Sequence, residues 1–177
     1  MIRKIVKYGD PVLEREGEKI KDFGTPELRQ FIDDMFESMY AAKGVGLAAP
    51  QLGVSQKVTV IDISGGVKDE EGVPPSERIV LINPTIIHKE GKQIGEEGCL
   101  SIPGFREQVK RAKRVTVRAQ DVEGNWFERS GEDLLARAMQ HEIDHLNGIL
   151  FISHLSPLKR DIIKRKIKKL AAAGEWD

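Results

Sequence analysis

Apolar positions recur along this chain with two periods. Leu28, Phe31, Ile32, Met35, Phe36, Met39 and Tyr40 follow one another at alternating intervals of three residues and one. That spacing paints one wide face of a helix. Thr25 precedes it as N-cap, Pro26 takes the first helical position, and Gly44 marks its end. A second helix is predicted from Leu134, Leu135, Ala138, His141, Ile143 and Leu146. Glu132 and Asp133 lie at its start, where negative charge suits the helix dipole, and Asn147-Gly148 stops it. A third, basic helix begins near Pro157.

Between these helices the period changes to two. Val115 to Gln120 alternates as a half-buried strand should, and Glu123-Gly124-Asn125 turns it into Trp126-Phe127-Glu128. Val58 to Ile63 reads as a strand. Ile79 to Ile82 reads as a second one, ended or bent by Pro84, and Ile86 to Ile94 as another. The Gly/Ala-rich stretch Gly44 to Gly53 and the polar stretch Ser64 to Ser76 read as loops. The predicted fold is α+β, with mostly antiparallel strands packed around a central helix and further helices toward both ends. With no repeats and no break in composition, residues 1–177 are expected to form a single domain, with 157–177 its basic C-terminal helix.

Composition adds constraints. At 177 residues the chain can bury a proper core. Hydrophobic content of 40% and charged content of 32% are ordinary for a globular protein, and a formal net charge of zero singles out no partner. No apolar run is long enough to span a bilayer, so no membrane is expected as a partner. The N-terminus lacks the pattern of a signal peptide. One cysteine, Cys99, cannot form an internal disulfide, and a cytoplasmic location follows as the expectation.

The chemistry lies in His141-Glu142-Ile143-Asp144-His145. Histidines four residues apart on a helix point the same way and can reach one metal ion. A glutamate beside the first can act as base on water activated by that metal. Five-residue matches of this kind also occur by chance, so a third ligand decides the matter. His154 does not fit the longer zinc-protease spacing. Cys99, in Gly95 to Gly104, is the other candidate. A lone cysteine is more often a buried small hydrophobe, but beside this helix a thiolate completes a tetrahedral site, and such a donor set suits zinc.

Three segments together resemble the signature motifs of peptide deformylases: Gly44-Val45-Gly46-Leu47-Ala48-Ala49-Pro50-Gln51, Glu97-Gly98-Cys99-Leu100-Ser101 and Gln140-His141-Glu142-Ile143-Asp144-His145. The resemblance runs from near Met1 to about Leu155. It implies a hydrolase that removes the formyl group from the N-terminal formyl-methionine of new polypeptides. It implies Cys99, His141 and His145 as metal ligands, Glu142 as general base and acid, and Gln51 with the backbone N–H of Leu100 as oxyanion donors. It implies one divalent ion, Fe(II) in the cell, with zinc, nickel or cobalt able to occupy the site. Val45, Leu134 and Ala138 become walls of a methionine pocket, and the backbone of Gly46 pairs with the extended peptide. Arg106 either meets the peptide beyond methionine or is an exposed charge. The lack of a transit peptide resembles a bacterial enzyme. The basic C-terminal helix is either a solvated face or, as in some family members, a ribosome-docking element.

Several residues carry other expectations. Many family members have an aliphatic residue where this chain has Arg137. Its guanidinium either points to solvent, with the stem covering apolar surface, or contacts the substrate, and the first is the expectation. Gln51 on its own reads as a loop amide capping backbone. Glu97 reads as an acceptor for loop N–H groups or an exposed charge. His88 is expected at the surface and His154 in a structural role, with Asp144 left between a supporting and a surface role. Trp126 and Phe127 read as core or hairpin packing. The competing readings are a zinc endopeptidase built on the same helix and a non-catalytic binding module.

Overall fold

The first helix forms where the apolar stripe and its start signals agree. In a computed structural model that describes residues 1–66 and 77–176, α1 runs Pro26–Ala41. Thr25 caps it, its hydroxyl accepting from the Leu28 N–H at 3.1 Å. Its apolar face is buried as predicted, with Met35 and Met39 fully enclosed. The strands follow as β1 (Gly46–Ala48), β2 (Val58–Ile61), β3 (Ile79–Glu90), β4 (Gln93–Cys99), β5 (Ile102–Arg111), β6 (Arg114–Gln120) and β7 (Trp126–Glu132). Helix α2 spans Asp133–Leu146 and α3 spans Pro157–Ala172.

Five strands form one antiparallel sheet in the order β1-β2-β3-β6-β7, and β4 with β5 forms a separate antiparallel hairpin. Along β6, Val115, Val117 and Ala119 are fully buried, the alternation of a sheet with one face on the core. Those three residues pack with Ile61 and Leu81 against Ala136, Ala138, Met139 and Ile143 of α2. Enclosing a side chain such as Met139 contributes about 1.5–3 kcal/mol. The opposite side of α2 faces the β4–β5 hairpin, so the histidine-bearing helix lies between the two sheets.

The strand expectations are met in part, and β5 was not among them. Pro84 bends its strand without ending it: β3 continues to Glu90 across a register shift between Ile82 and Thr85, with Asn83 at φ 50°. The predicted Ile86 to Ile94 strand is therefore the second half of β3, a turn at Gly91, and the first residues of β4. The Gly44–Gly53 stretch is ordered: it holds edge strand β1 and a 3-10 turn, Ala49–Leu52. Of the predicted Ser64–Ser76 loop, residues 67–76 lie outside the described residues.

Helix starts and stops are mixed in outcome. Gly148, at φ 76°, follows the C-cap Asn147 of α2 as predicted. Glu132 makes no cap hydrogen bond and instead pairs with Arg114 across the sheet edge. Helix α3 buries Ile163 and Ile167 in a cluster with Ile102, Val109 and Phe151. Trp176 closes that cluster, its indole N–H donating to the Tyr8 carbonyl at 2.8 Å. Among the described residues no helix is long and apolar enough to cross a membrane.

Candidate metal centre

Two elements bring the candidate donors together. Helical spacing puts His141 and His145 on one face of α2, and β4 ends at Cys99 directly above that face. The donor atoms of Cys99, His141 and His145 lie within 4.8 Å of one another. The two Nε2 atoms are 3.2 Å apart, and Cys99 Sγ is 3.3 Å from His145 Nε2. Metal–nitrogen bonds of about 2.0–2.1 Å and a metal–sulfur bond of about 2.3 Å, at tetrahedral angles, set donor pairs roughly 3.3 Å and roughly 3.6 Å apart. The observed spacings fit one cation shared by the three side chains.

Electrostatics favour a cation there. Burial pushes the His145 imidazole well below its usual range, so it stays neutral as a ligand must. Burial acts the same way on His141, but the charge of Glu142 and hydrogen bonding to Cys99 and Glu97 outweigh it and draw positive charge to this ring. Glu142 is 5% exposed, and burial raises its carboxyl to about 7. Among the described residues its Oε1 and His145 Nδ1 have no hydrogen-bond partner. Gly46 lies directly over Glu142: a Cβ there would fall 2.6 Å from Oε2. The glycine is a steric requirement of the carboxylate beneath it.

Gln51 is buried with both ends assigned. Its Oε1 accepts from the Ala48 N–H at 3.0 Å, the backbone cap that the residue alone suggested. That bond fixes the amide so that Nε2 faces the centre, 3.6 Å from Cys99 Sγ and 3.2 Å from Ser101 Oγ. Leu100 follows Cys99 in the turn between β4 and β5, and its side chain packs against Gly44 and the α1 cluster. A cavity of about 540 Å³ opens over the centre. Val45, Gly46, Leu134, Ala138 and Arg106 all line it. Leu134 is half exposed at its rim, whereas Ala138 is buried deeper. Arg106 is exposed, paired with Glu96 at 2.6 Å, and lies across Gly98.

Behind the candidate donors stands a buried charge network that the sequence reading did not foresee. Glu97 is 4% exposed and its carboxylate accepts from three residues. Arg111 donates through Nε at 2.9 Å and Nη2 at 2.8 Å, His141 through Nδ1 at 2.8 Å, and Arg137 through Nη1. Burial alone would raise this carboxyl; the hydrogen bonds from Arg111 and His141 reverse that and hold it far below the usual range. Asp144 takes the other side of Arg111 at 2.7 Å and meets His154 Nε2 at 2.8 Å, giving both residues supporting roles. His88 is exposed beside Glu90, and Trp126 is half exposed under Arg118.

The expectation for Arg137 is overturned. Its guanidinium is not in solvent: the residue is 7% exposed and bound to Glu97, because a buried carboxylate and the Val109 carbonyl offer it partners that water would otherwise supply. The signal was available, since Arg137 lies four residues before His141 and shares its helix face. Arg111 was missed as well, although it shares strand parity with buried Val109. Replacing Glu97 with Ala removes the only carboxylate that Arg137 meets among the described residues and leaves Arg111 with Asp144 alone. Urea unfolding is expected to show a loss of about 3–5 kcal/mol, and an unchanged midpoint contradicts the network.

Comparison with known proteins identifies the family of the chain. The sequence model of the family described as polypeptide deformylase matches residues 2–161. A peptide deformylase of Acidobacterium capsulatum is 60% identical over 176 residues, 99% of each chain. One from Alkalilimnicola ehrlichii is 47% identical, covering 98% of this chain and 93% of the relative. The crystal structure of a peptide deformylase from Legionella pneumophila superposes with a TM-score of 0.86 at 48% identity, covering 97% of this chain and 98% of that one. That of the Thermus thermophilus enzyme gives 0.83 at 40% identity, with 95% and 94% covered. With the family match spanning most of its length and these relatives aligned nearly end to end, the chain belongs to the polypeptide deformylase family.

Proposed function

We propose that Cys99, His141 and His145 hold the catalytic metal of this deformylase, with Glu142 as the proton carrier. Peptide deformylases are metal-dependent hydrolases that remove the N-formyl group from the formyl-methionine of newly made polypeptides, releasing formate. The observation that carries the assignment is the convergence of one sulfur and two imidazole nitrogens beside a buried carboxylate.

A divalent cation held there supplies Lewis-acid chemistry, making water acidic enough to react near neutral pH and polarising the formyl oxygen. Glu142 takes the proton of the attacking water. The water oxygen bonds to the formyl carbon, and negative charge develops on the former carbonyl oxygen. Gln51 Nε2 and the Leu100 backbone N–H donate to that oxygen, each such donor supplying about 3 kcal/mol in the transition state. Glu142 then passes its proton to the amine nitrogen as the C–N bond breaks, leaving formate and a free N-terminus. A carboxyl raised to about 7 by burial suits both halves of this transfer.

Substrate shape follows from the cavity. Val45, Leu134 and Ala138 present apolar surface for the methionine side chain. Strand β1 is the outer edge of its sheet, so the Gly46 backbone is free to pair with an extended peptide. Arg106, already paired with Glu96 at the mouth, stands where the residues after methionine would pass. A formyl carbon bears only hydrogen, which lets a narrow site reject internal peptide bonds. The endopeptidase reading lacks a downstream ligand, and Cys99 stands in that place.

Fe(II) is the proposed ion in the cell, with zinc, nickel or cobalt able to substitute. The cytoplasm is the proposed location, and residues 1–177 the proposed single catalytic domain. For α3 we propose ribosome docking. Lys164, Lys166 and Lys168 are among its exposed cations, and Leu158 in its first turn is 70% exposed.

Two experiments check these assignments. Glu142→Ala is expected to retain stoichiometric metal and lose about 10²–10⁴-fold in formate release from a formyl-methionyl peptide; activity within a few fold of wild type contradicts the proton-carrier role. Truncation after Leu155 is expected to abolish salt-sensitive co-sedimentation with ribosomes, and unchanged co-sedimentation removes the docking role.

A further inference from the structure

Helix α2 and the β4–β5 hairpin must keep a fixed separation, because one side of the metal centre hangs from each. Four side chains of α2 tie the hairpin down: His141 through Glu97 and Asp144 through Arg111, already described, and Gln140 and Arg137. Gln140 does so at its base: it accepts from the Ala112 N–H at 3.0 Å and donates to the Ala112 carbonyl at 3.0 Å. Arg137 does so in its middle. One Nη1 donates both to Glu97 on β4 and to the Val109 carbonyl on β5 at 3.0 Å, and Nη2 reaches Gln93 Oε1 at 3.4 Å. Gly95 lets the guanidinium lie close to β4, since a Cβ there would be 3.0 Å from Nη2.

The residues beneath that fork matter. Glu97 orients the His141 ring through Nδ1, leaving Nε2 to face the centre, and Cys99 lies two residues further along the same strand. A displacement of Glu97 therefore moves two of the three donors at once. We propose that Arg137 is a positioning residue for metal retention: by bridging Glu97 and Val109 it fixes the Cys99 hairpin against α2 and slows the escape of the cation. This rests on the assignment of Cys99, His141 and His145 as ligands. It goes beyond pocket lining, because an aliphatic side chain of similar length would line the cavity equally well but bind neither strand.

The test compares wild type, Arg137→Lys and Arg137→Met, each loaded with Co(II). Metal release to excess chelator is followed together with the cobalt d–d absorption, and circular dichroism confirms folding. Loss of a group that orients a metal ligand typically weakens binding 10–100-fold. Release is expected about tenfold faster in Arg137→Met and intermediate in Arg137→Lys, whose single ammonium cannot bridge both strands as a planar fork does. The d–d bands are expected to shift in the Met variant. Wild-type release and an unshifted spectrum in Arg137→Met overturn the proposal. If the Met variant does not fold, Arg137→Lys decides: faster release supports it and wild-type release overturns it. Failure of the wild type itself to bind one cobalt per chain would instead refute the ligand assignment.

Discussion

The structure depends on one buried carboxylate. Glu97 accepts from Arg111, Arg137 and His141 at once, and those three residues come from β5 and α2. Two guanidinium groups and a carboxylate are costly to remove from water, and only close hydrogen bonding on every side makes such burial tolerable. The result is a polar rivet between the hairpin that carries the cysteine and the helix that carries the histidines. Apolar contacts alone would hold these elements together without fixing the angle of an imidazole ring. The carboxylate does both.

The rest of the fold can be read as support for that rivet. One side of α2 is anchored on the five-stranded sheet through Ala136, Met139 and Ile143. The far side of the hairpin is backed by Phe151, Ile163 and Ile167, so α3 braces the cysteine strand from behind. Edge strand β1 passes over Glu142 at Gly46, where a methyl group would have to displace the Glu142 side chain. The Glu142 carboxyl is thereby kept buried beside the candidate centre, and burial raises it to about 7, a value that suits the proposed proton transfer.

Much of this was legible in the sequence, for physical reasons. The α1 face, the β6 alternation and the α2 stop at Asn147-Gly148 are local, and period and turn chemistry report them directly. The candidate donor set, whose atoms the fold does bring together, could be picked out because two histidines at helical spacing fix their own geometry and the sequence has only one cysteine. What escaped was long-range. The passage of β3 through Pro84 depends on a bulge at Asn83 that pairing with β6 permits. The hairpin of β4 and β5 was hidden because glycines break the pattern of β4. Arg137 and Arg111 were misread or overlooked because charged residues are ordinarily solvated. Only the distant Glu97 makes their burial favourable.

The central claim is that a single cation binds to one sulfur and two imidazole nitrogens. X-ray absorption on the zinc-loaded enzyme tests it most directly. The account predicts one sulfur neighbour at about 2.3 Å and two imidazole nitrogens at about 2.0–2.1 Å, completed by a light atom. A first shell of nitrogen and oxygen only, with no sulfur, would contradict it.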